Sequence, residues 1–110
     1  MTHAKRLHTD QENLEASEEK INESIERLDE DSNYWVRLDC KDSDEESFLR
    51  AWKKKDYQIE FGTESGGEPS LFRAFKSNKD QVLEMFWDLL EGETPDLRTW
   101  MDVSDEYQKF

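Results

Sequence analysis

The fold is decided between Tyr34 and Gly92, where five short segments carry most of the large apolar residues. They read YWVRLDC (34–40), SDEESFLRAWKKK (43–55), YQIEF (57–61), SLFRAF (70–75) and NKDQVLEMFWDLLEG (78–92). The first, third and fourth segments alternate apolar and polar residues, which is the period of a half-buried strand. The second and fifth segments open on helix-capping signals, so we predict helices there.

These elements predict an α+β fold with a small three-stranded sheet and helices on one of its faces. The β-α-β-β-α order corresponds to an incomplete ferredoxin-like core, and a right-handed crossover would make the first two strands parallel. Glycines and a proline between the third and fourth segments predict that the last two strands form an antiparallel hairpin. Thr94 followed by Pro95 predicts a short C-terminal helix. All four tryptophans and all six phenylalanines follow Asn33, so we expect residues 34–110 to form the compact domain.

The N-terminal third is polar and acidic. We expect residues 1–8 to be disordered and residues 9–31 to form one helix, because Thr9 and Glu12 have the spacing of a capping box. The large aliphatic residues in this region are spaced like a weak heptad seam. The residues of this predicted dimer seam are Leu14, Ile21, Ile25 and Leu28. A helix with so little apolar surface is unstable alone; it would dock on the domain, pair with a second copy, or remain a solvated arm.

Charge is the strongest compositional signal. The chain has 28 acidic residues against 15 lysines and arginines, a formal net charge of −13. Such a charge disfavours binding to nucleic acids and to anionic membranes, and it speeds encounter with basic proteins. A basic protein is therefore the predicted partner, with no direct contact to nucleic acid or membrane.

The acidic residues are clustered in two places. Glu12, Glu15, Glu19, Glu23 and Glu26 follow each other at intervals of three or four residues, which places them on one face of the predicted helix. With a rise of about 1.5 Å per residue, neighbouring carboxylates would lie roughly 5–6 Å apart. Such a row could occupy a cleft built for phosphates, although a solvated helix face has the same pattern. The predicted partner-binding residues are Glu15, Glu19, Glu23, Glu26, Asp42, Asp44 and Glu45.

Catalytic and metal-binding signatures are missing from the sequence. The two histidines, His3 and His8, lack cysteine partners at zinc-site spacing. Cys40 is the one cysteine and falls on the apolar side of the first predicted strand, as a small buried hydrophobic residue would. We therefore predict no enzymatic activity, no cofactor and no metal. A single cysteine and the lack of a long apolar run predict a cytoplasmic protein.

These observations favour a non-enzymatic acidic protein that blocks a basic, nucleic-acid-binding surface of a partner. A phage anti-CRISPR or anti-restriction inhibitor that imitates the charge of DNA meets this description. An immunity protein that neutralises a nuclease toxin meets it equally well. The alternative is a structural or assembly protein that homodimerises through the N-terminal helix.

Overall fold

A computed structural model describes residues 4–30, 34–41, 45–53, 55–65 and 68–106. In these residues a seven-stranded antiparallel sheet has the strand order β2-β1-β3-β4-β5-β6-β7. The strands are β1 (Ala4–Thr9), β2 (Asn13–Glu15), β3 (Trp35–Lys41), β4 (Glu45–Lys53), β5 (Tyr57–Ser65), β6 (Glu68–Lys76) and β7 (Met101–Asp102). Helix α1 (Glu18–Asp29) joins β2 to β3, helix α2 (Lys79–Leu90) follows β6, and a turn of 3-10 helix (Ser104–Glu106) follows β7.

The predicted three-stranded sheet with a β-α-β crossover is wrong, because residues 45–53 form a strand. β4 pairs with β3 on one side and with β5 on the other, antiparallel in both cases. Its apolar residues Phe48, Leu49 and Trp52 fit the spacing of one helix face. In a strand, however, Leu49 and Ala51 lie on one face and Phe48 and Trp52 lie on the other. Helix propensity is a weak preference. Pairing on both edges satisfies the backbone of this segment and places large side chains on both faces of the sheet.

The structure also corrects residues 4–8 of the predicted disordered N-terminus and the predicted helix over residues 9–31, whereas residues 1–3 and 31 lie outside the described residues. Residues 4–9 form β1, which lies between β2 and β3. The capping signal at Thr9 closes a turn between two strands: its Oγ1 accepts from the backbone of Gln11 and Glu12, at 3.1 and 3.0 Å. The helix begins only after Ser17, whose Oγ accepts from Lys20 N at 3.2 Å. A threonine hydroxyl can bond nearby amides in either setting, so the local pattern did not distinguish them.

Three predicted strands and one predicted helix are confirmed. β3, β5 and β6 lie where the alternating segments placed them, and β5 pairs antiparallel with β6 out to Ser65 and Glu68. Helix α2 begins after Asn78, whose Oδ1 accepts from Asp80 N at 2.8 Å. It is followed by Gly92, whose φ of 91° suits a glycine just beyond a helix end.

The predicted C-terminal helix is wrong, because the segment after Thr94 forms turns that lead into β7. Asp96 Oδ1 accepts from Arg98 N at 3.1 Å, and Trp100 N donates to the carbonyl of Leu97 at 3.0 Å. Leu97 and Trp100 are half-buried against the core. The apolar residues of this segment therefore reach the core from turns, without a helix.

The main core lies between the helices and one face of the sheet. It includes residues that precede Asn33, contrary to the prediction that the core begins at residue 34. Its members are Leu7, Ile21, Ile25, Leu28, Val36, Leu38, Leu49, Ala51, Tyr57, Ile59, Phe61, Val82, Phe86 and Leu89. On the opposite side, which we call the open face, neither α1 nor α2 covers the sheet, and the 3-10 turn (Ser104–Glu106) with Val103 packs on it next to β6.

Candidate functional site

The two helices form one continuous surface, which we call the helical layer and define as residues 18–30 and 79–98. Trp87 Nε1 of α2 donates to Asn22 Oδ1 of α1 at 2.9 Å. Lys79 Nζ of α2 donates to Glu26 Oε2 of α1 at 2.7 Å. Because both helices turn their apolar sides toward the sheet, their polar sides form the outer surface of this layer.

The outer surface of the helical layer is strongly acidic. Its acidic side chains that the structure describes are all exposed: Glu18, Glu19, Glu23, Glu26, Glu30, Asp80, Glu84, Asp88, Glu91, Glu93 and Asp96. Its basic side chains are Lys20, Arg27, Lys79 and Arg98. Eleven acidic groups against four basic groups leave a charge of −7, which is more than half of the −13 of the chain.

A groove with a volume of about 350 Å³ lies in the helical layer, between α2 and the segment that follows it. Its lining consists of Lys76, Gln81, Glu84, Met85, Asp88, Pro95, Asp96, Thr99 and Trp100. Arg98 Nη2 lies 2.6 Å from Asp96 Oδ2, and hydrogen bonds from the Arg98 side chain and backbone lower the pKa of Asp96. Glu84 and Asp88 form no ion pair within the described ranges, so their charges face solvent.

Three of the predicted partner-binding residues lie together in the helical layer. Glu19, Glu23 and Glu26 are exposed on α1. Glu23 Oε2 lies 3.7 Å from Lys20 Nζ, and Glu26 is the residue that bonds Lys79. The negative charge of Glu26 is thus partly compensated, whereas Glu19 has no ion pair in the part of the chain that the structure describes.

The other predicted contact residues do not join this row. Glu15 lies on β2, because the helix begins later than the sequence pattern indicated, so the predicted five-residue row is broken. Glu12 lies in the β1–β2 turn, with its Oε2 3.5 Å from Arg27 Nη1. Glu45 begins β4, and Asp42 and Asp44 lie outside the described residues. The structure instead adds Glu84, Asp88 and Asp96; the spacing of four between Glu84 and Asp88 was the sequence signal that could have identified two of them.

The predicted dimer-seam residues lie inside the protein or at its edge. Ile21, Ile25 and Leu28 have exposed fractions of 0, 0 and 1% and pack in the main core. Leu14 is half-buried on the edge strand β2 and contacts the same core. α1 therefore lies on the sheet of its own chain, and these four residues do not form an apolar stripe on the surface.

The open face carries charges that are paired with one another. Glu60 on β5 is only 2% exposed, and it lies between Arg50 Nη2 at 2.9 Å and Arg73 Nη2 at 2.6 Å. Burial lowers the pKa of Arg73, but hydrogen bonds to Glu106 and Glu60 outweigh it and raise that pKa. Arg73 therefore stays charged, and Arg50 and Arg73 together hold the carboxylate of Glu60 between β4 and β6.

A second paired cluster and several stacked rings lie beside Glu60. Asp39 contacts Arg37 Nε at 2.7 Å and His8 Nε2 at 2.9 Å. The Arg37 guanidinium lies 4.1 Å from the centroid of the Phe48 ring, and that of Arg50 lies 4.4 Å from the centroid of a Trp52 ring. Stacking of this kind covers part of both partners and is stabilising.

The described residues contain no cluster of three or more potential metal ligands. Cys40 is half-buried, and its Sγ lies 3.9 Å from the carbonyl oxygen of Leu89. Within the same ranges, neither helix has the length and apolar content that crossing a membrane requires.

No family model, curated protein or solved structure that was compared with the chain matches it.

Proposed function

We propose that the protein is a non-enzymatic binding protein whose acidic helical layer covers a basic, nucleic-acid-binding surface of a partner protein. The observation that supports this proposal is the segregation of charge. The described side chains of the helical layer carry a net charge of −7, whereas the carboxylates Glu60 and Asp39 of the open face are each bonded to two basic residues. A predominantly acidic surface accelerates association with a basic surface, and this attraction weakens as salt is added.

The carboxylates expected to contribute most to partner binding are those that form no ion pair with another described residue. Glu19, Glu84 and Asp88 are exposed and unpaired among the described residues, so a basic partner can bind them without first breaking an ion pair. Glu26 is expected to contribute less, because Lys79 competes for its carboxylate at 2.7 Å. Asp96 is intermediate, since its carboxylate is already bonded to Arg98.

Two biological roles fit this proposal equally. An anti-CRISPR or anti-restriction inhibitor and an immunity protein against a nuclease toxin would both act in the cytoplasm and both cover a phosphate-binding surface. The identity of the captured partner separates them: a defence complex indicates the first role, and a toxin encoded nearby indicates the second. Nothing in the described residues favours a homodimer through α1, because its apolar residues lie in the core.

The test is capture of the partner from a lysate of the cells that contain the protein, followed by elution with double-stranded DNA. A partner that is bound through its nucleic-acid-binding surface will be released by DNA and also by high salt. Three arms are compared: the wild type, the Glu19→Gln/Glu84→Gln/Asp88→Asn variant, and the Glu46→Gln/Asp56→Asn/Glu64→Gln variant. Both variants remove three negative charges, but the second removes them outside the helical layer. Equal capture by both variants, or a partner that DNA does not release, would overturn the proposal.

A further inference from the structure

The open face of the sheet exposes two large apolar side chains near its β6–β7 edge. Phe75 and Met101 are 58 and 57% exposed, and both flank Arg73: Phe75 is two residues along β6, and Met101 is its cross-strand neighbour on β7. Trp35 and Trp52 are cross-strand neighbours and are half-buried on the same side. Phe48, Leu71 and Val103 form a separate small core there. Phe75 and Met101 therefore expose apolar surface on both sides of Arg73, and exposed apolar surface with a polar rim is typical of an interaction site.

The polar groups on this face are suited to being covered. Glu60 is already bonded to Arg50 and Arg73, and Asp39 to Arg37 and His8. Burying a charge is costly when it loses its partner and much less costly when the pair stays together. Removing water from this face would therefore leave few unpaired charges, in contrast to the helical layer.

We infer that the open face is the interface of a homodimer, in which the same face of a second copy packs against it. The size of the face suits a second copy, and the charge distribution selects the orientation of the two copies. Two chains of charge −13 repel each other, and face-to-face packing is the arrangement that keeps both helical layers on the outside. Each helical layer is separated from the interface by its own sheet and main core, so layers spaced about 10 Å apart would place the two acidic surfaces roughly 30 Å from each other, several times the Debye length of about 8 Å at physiological salt.

The size of the face is sufficient for such an interface. The sheet has seven strands, and its strands β4, β5 and β6 are nine residues long, so spacings of about 4.8 Å between strands and 3.3 Å per residue give a face of up to roughly 29 by 30 Å. A standard stable interface buries about 800 Å² per partner. Two twisted sheets packed in this way lie about 10 Å apart, with their inner side chains interdigitated. Phe75 and Met101 would be the anchors, since they are the most exposed large apolar residues on this face.

Sedimentation equilibrium of the purified full chain from about 1 to 100 μM tests this inference. The wild type is expected to approach twice the chain mass of 13.2 kDa, with little dependence on salt. The Phe75→Glu/Met101→Glu variant is expected to associate at least about 30-fold more weakly, because it replaces both apolar anchors of the interface by carboxylates. Tyr34→Glu is the matched control: Tyr34 is 78% exposed and precedes β3, and its replacement should leave the dimer intact.

Circular dichroism and thermal unfolding of the variants show whether each one is folded. A wild type that stays monomeric at 100 μM would overturn the inference, and so would a dimer that the Phe75→Glu/Met101→Glu variant leaves unchanged. Neither result affects the proposed function, because that function depends on the charged helical layer and its test measures release by DNA and by high salt.

Discussion

Gly62 on β5 lies directly beneath the ring of Phe48 on β4. The two residues are cross-strand partners, and a Cβ atom on Gly62 would lie 2.3 Å from Cε1 of that ring. The absence of a side chain therefore lets the Phe48 ring lie flat on the sheet, where the guanidinium of Arg37 stacks on it at 4.1 Å.

Gly62→Ala is expected to lower the free energy of unfolding by about 1–3 kcal/mol, because the new methyl group overpacks a filled site. Urea unfolding followed by fluorescence measures the change. The same substitution in a Phe48→Leu background should cost clearly less, because the ring that clashes has been removed. Equal losses in both backgrounds would show that contact with Phe48 is not the cause.

Glu60→Gln is expected to destabilise the fold by about 3 kcal/mol, since it leaves two arginines facing a neutral group at a site that is almost fully buried. The exposed fraction of the Glu60 side chain is 3%, against 23% for Arg50 and 21% for Arg73. The matched control is Glu46→Gln, which removes the exposed pair with Lys41 and should cost less than about 1 kcal/mol. Comparable losses from both variants in urea unfolding would contradict the central role of Glu60.

Ile25→Ala distinguishes a core position from a surface seam. Ile25 is fully buried, so deleting its side chain should cost about 2–5 kcal/mol. Asn22→Ala on the exposed side of α1 removes only the hydrogen bond to Trp87 and should cost about 1 kcal/mol. Thermal unfolding at several protein concentrations gives both values, and a loss below about 1 kcal/mol for Ile25→Ala would place it outside the core.

Acidification is expected to loosen the last described segment from β6. Asp102 Oδ1 accepts from Ser104 N and Oγ, and Ser104 Oγ accepts from Leu71 N at 3.1 Å. These bonds from Ser104 lower the pKa of Asp102 below its ordinary value of 3.8. Since the folded pKa is depressed, the stabilisation is present above pH 3.8 and is lost as pH falls through the lower folded value.

Amide chemical shifts of Leu71 and Ser104, followed by NMR across this pH range, measure the loosening. Both are expected to titrate together with a midpoint below 3.8. In the Asp102→Asn variant, the side-chain amide oxygen can still accept the hydrogen bonds from Ser104, but the amide group does not titrate. The pH-dependent change in the two chemical shifts should therefore vanish. A step that persists in that variant would assign the titration to another group.

The local sequence pattern correctly identified the elements for which packing in the fold favours the same secondary structure as the local sequence does. β5 and β6 alternate cleanly and follow each other along the chain, and α2 has a capping Asn78 and a terminal Gly92. The pattern failed at β4 because this strand carries apolar residues on both faces, so residues 48–52 lack the alternation of a half-buried strand and match a helical stripe instead. Only pairing with β3 and β5, which the local pattern does not contain, makes the segment a strand.

The acidic surface of the helical layer was partly predictable, because a repeat along a single helix is visible in the sequence. Glu19, Glu23 and Glu26 were recognised because they repeat on one helix, and they do lie together on α1. Glu84 and Asp88 belong to a helix 60 residues later in the chain, and they join the same surface only because α1 and α2 pack side by side, linked by Asn22 and Trp87. The paired open face could not be predicted from the sequence, because Glu60 meets Arg50 and Arg73 through the register of three strands.

The central claim is that the helical layer binds the partner, and its most direct test is the affinity of the captured partner for two variants of equal net charge. Glu19→Gln/Glu84→Gln/Asp88→Asn is expected to raise the dissociation constant by about tenfold or more at low salt. Glu46→Gln/Asp56→Asn/Glu64→Gln is expected to change it by less than about twofold, because the contact is intact and the loss of three distant charges weakens only the long-range attraction that salt screens. Isothermal titration calorimetry gives both values. If the two variants weaken binding equally, only overall charge matters and the helical layer is not the binding surface.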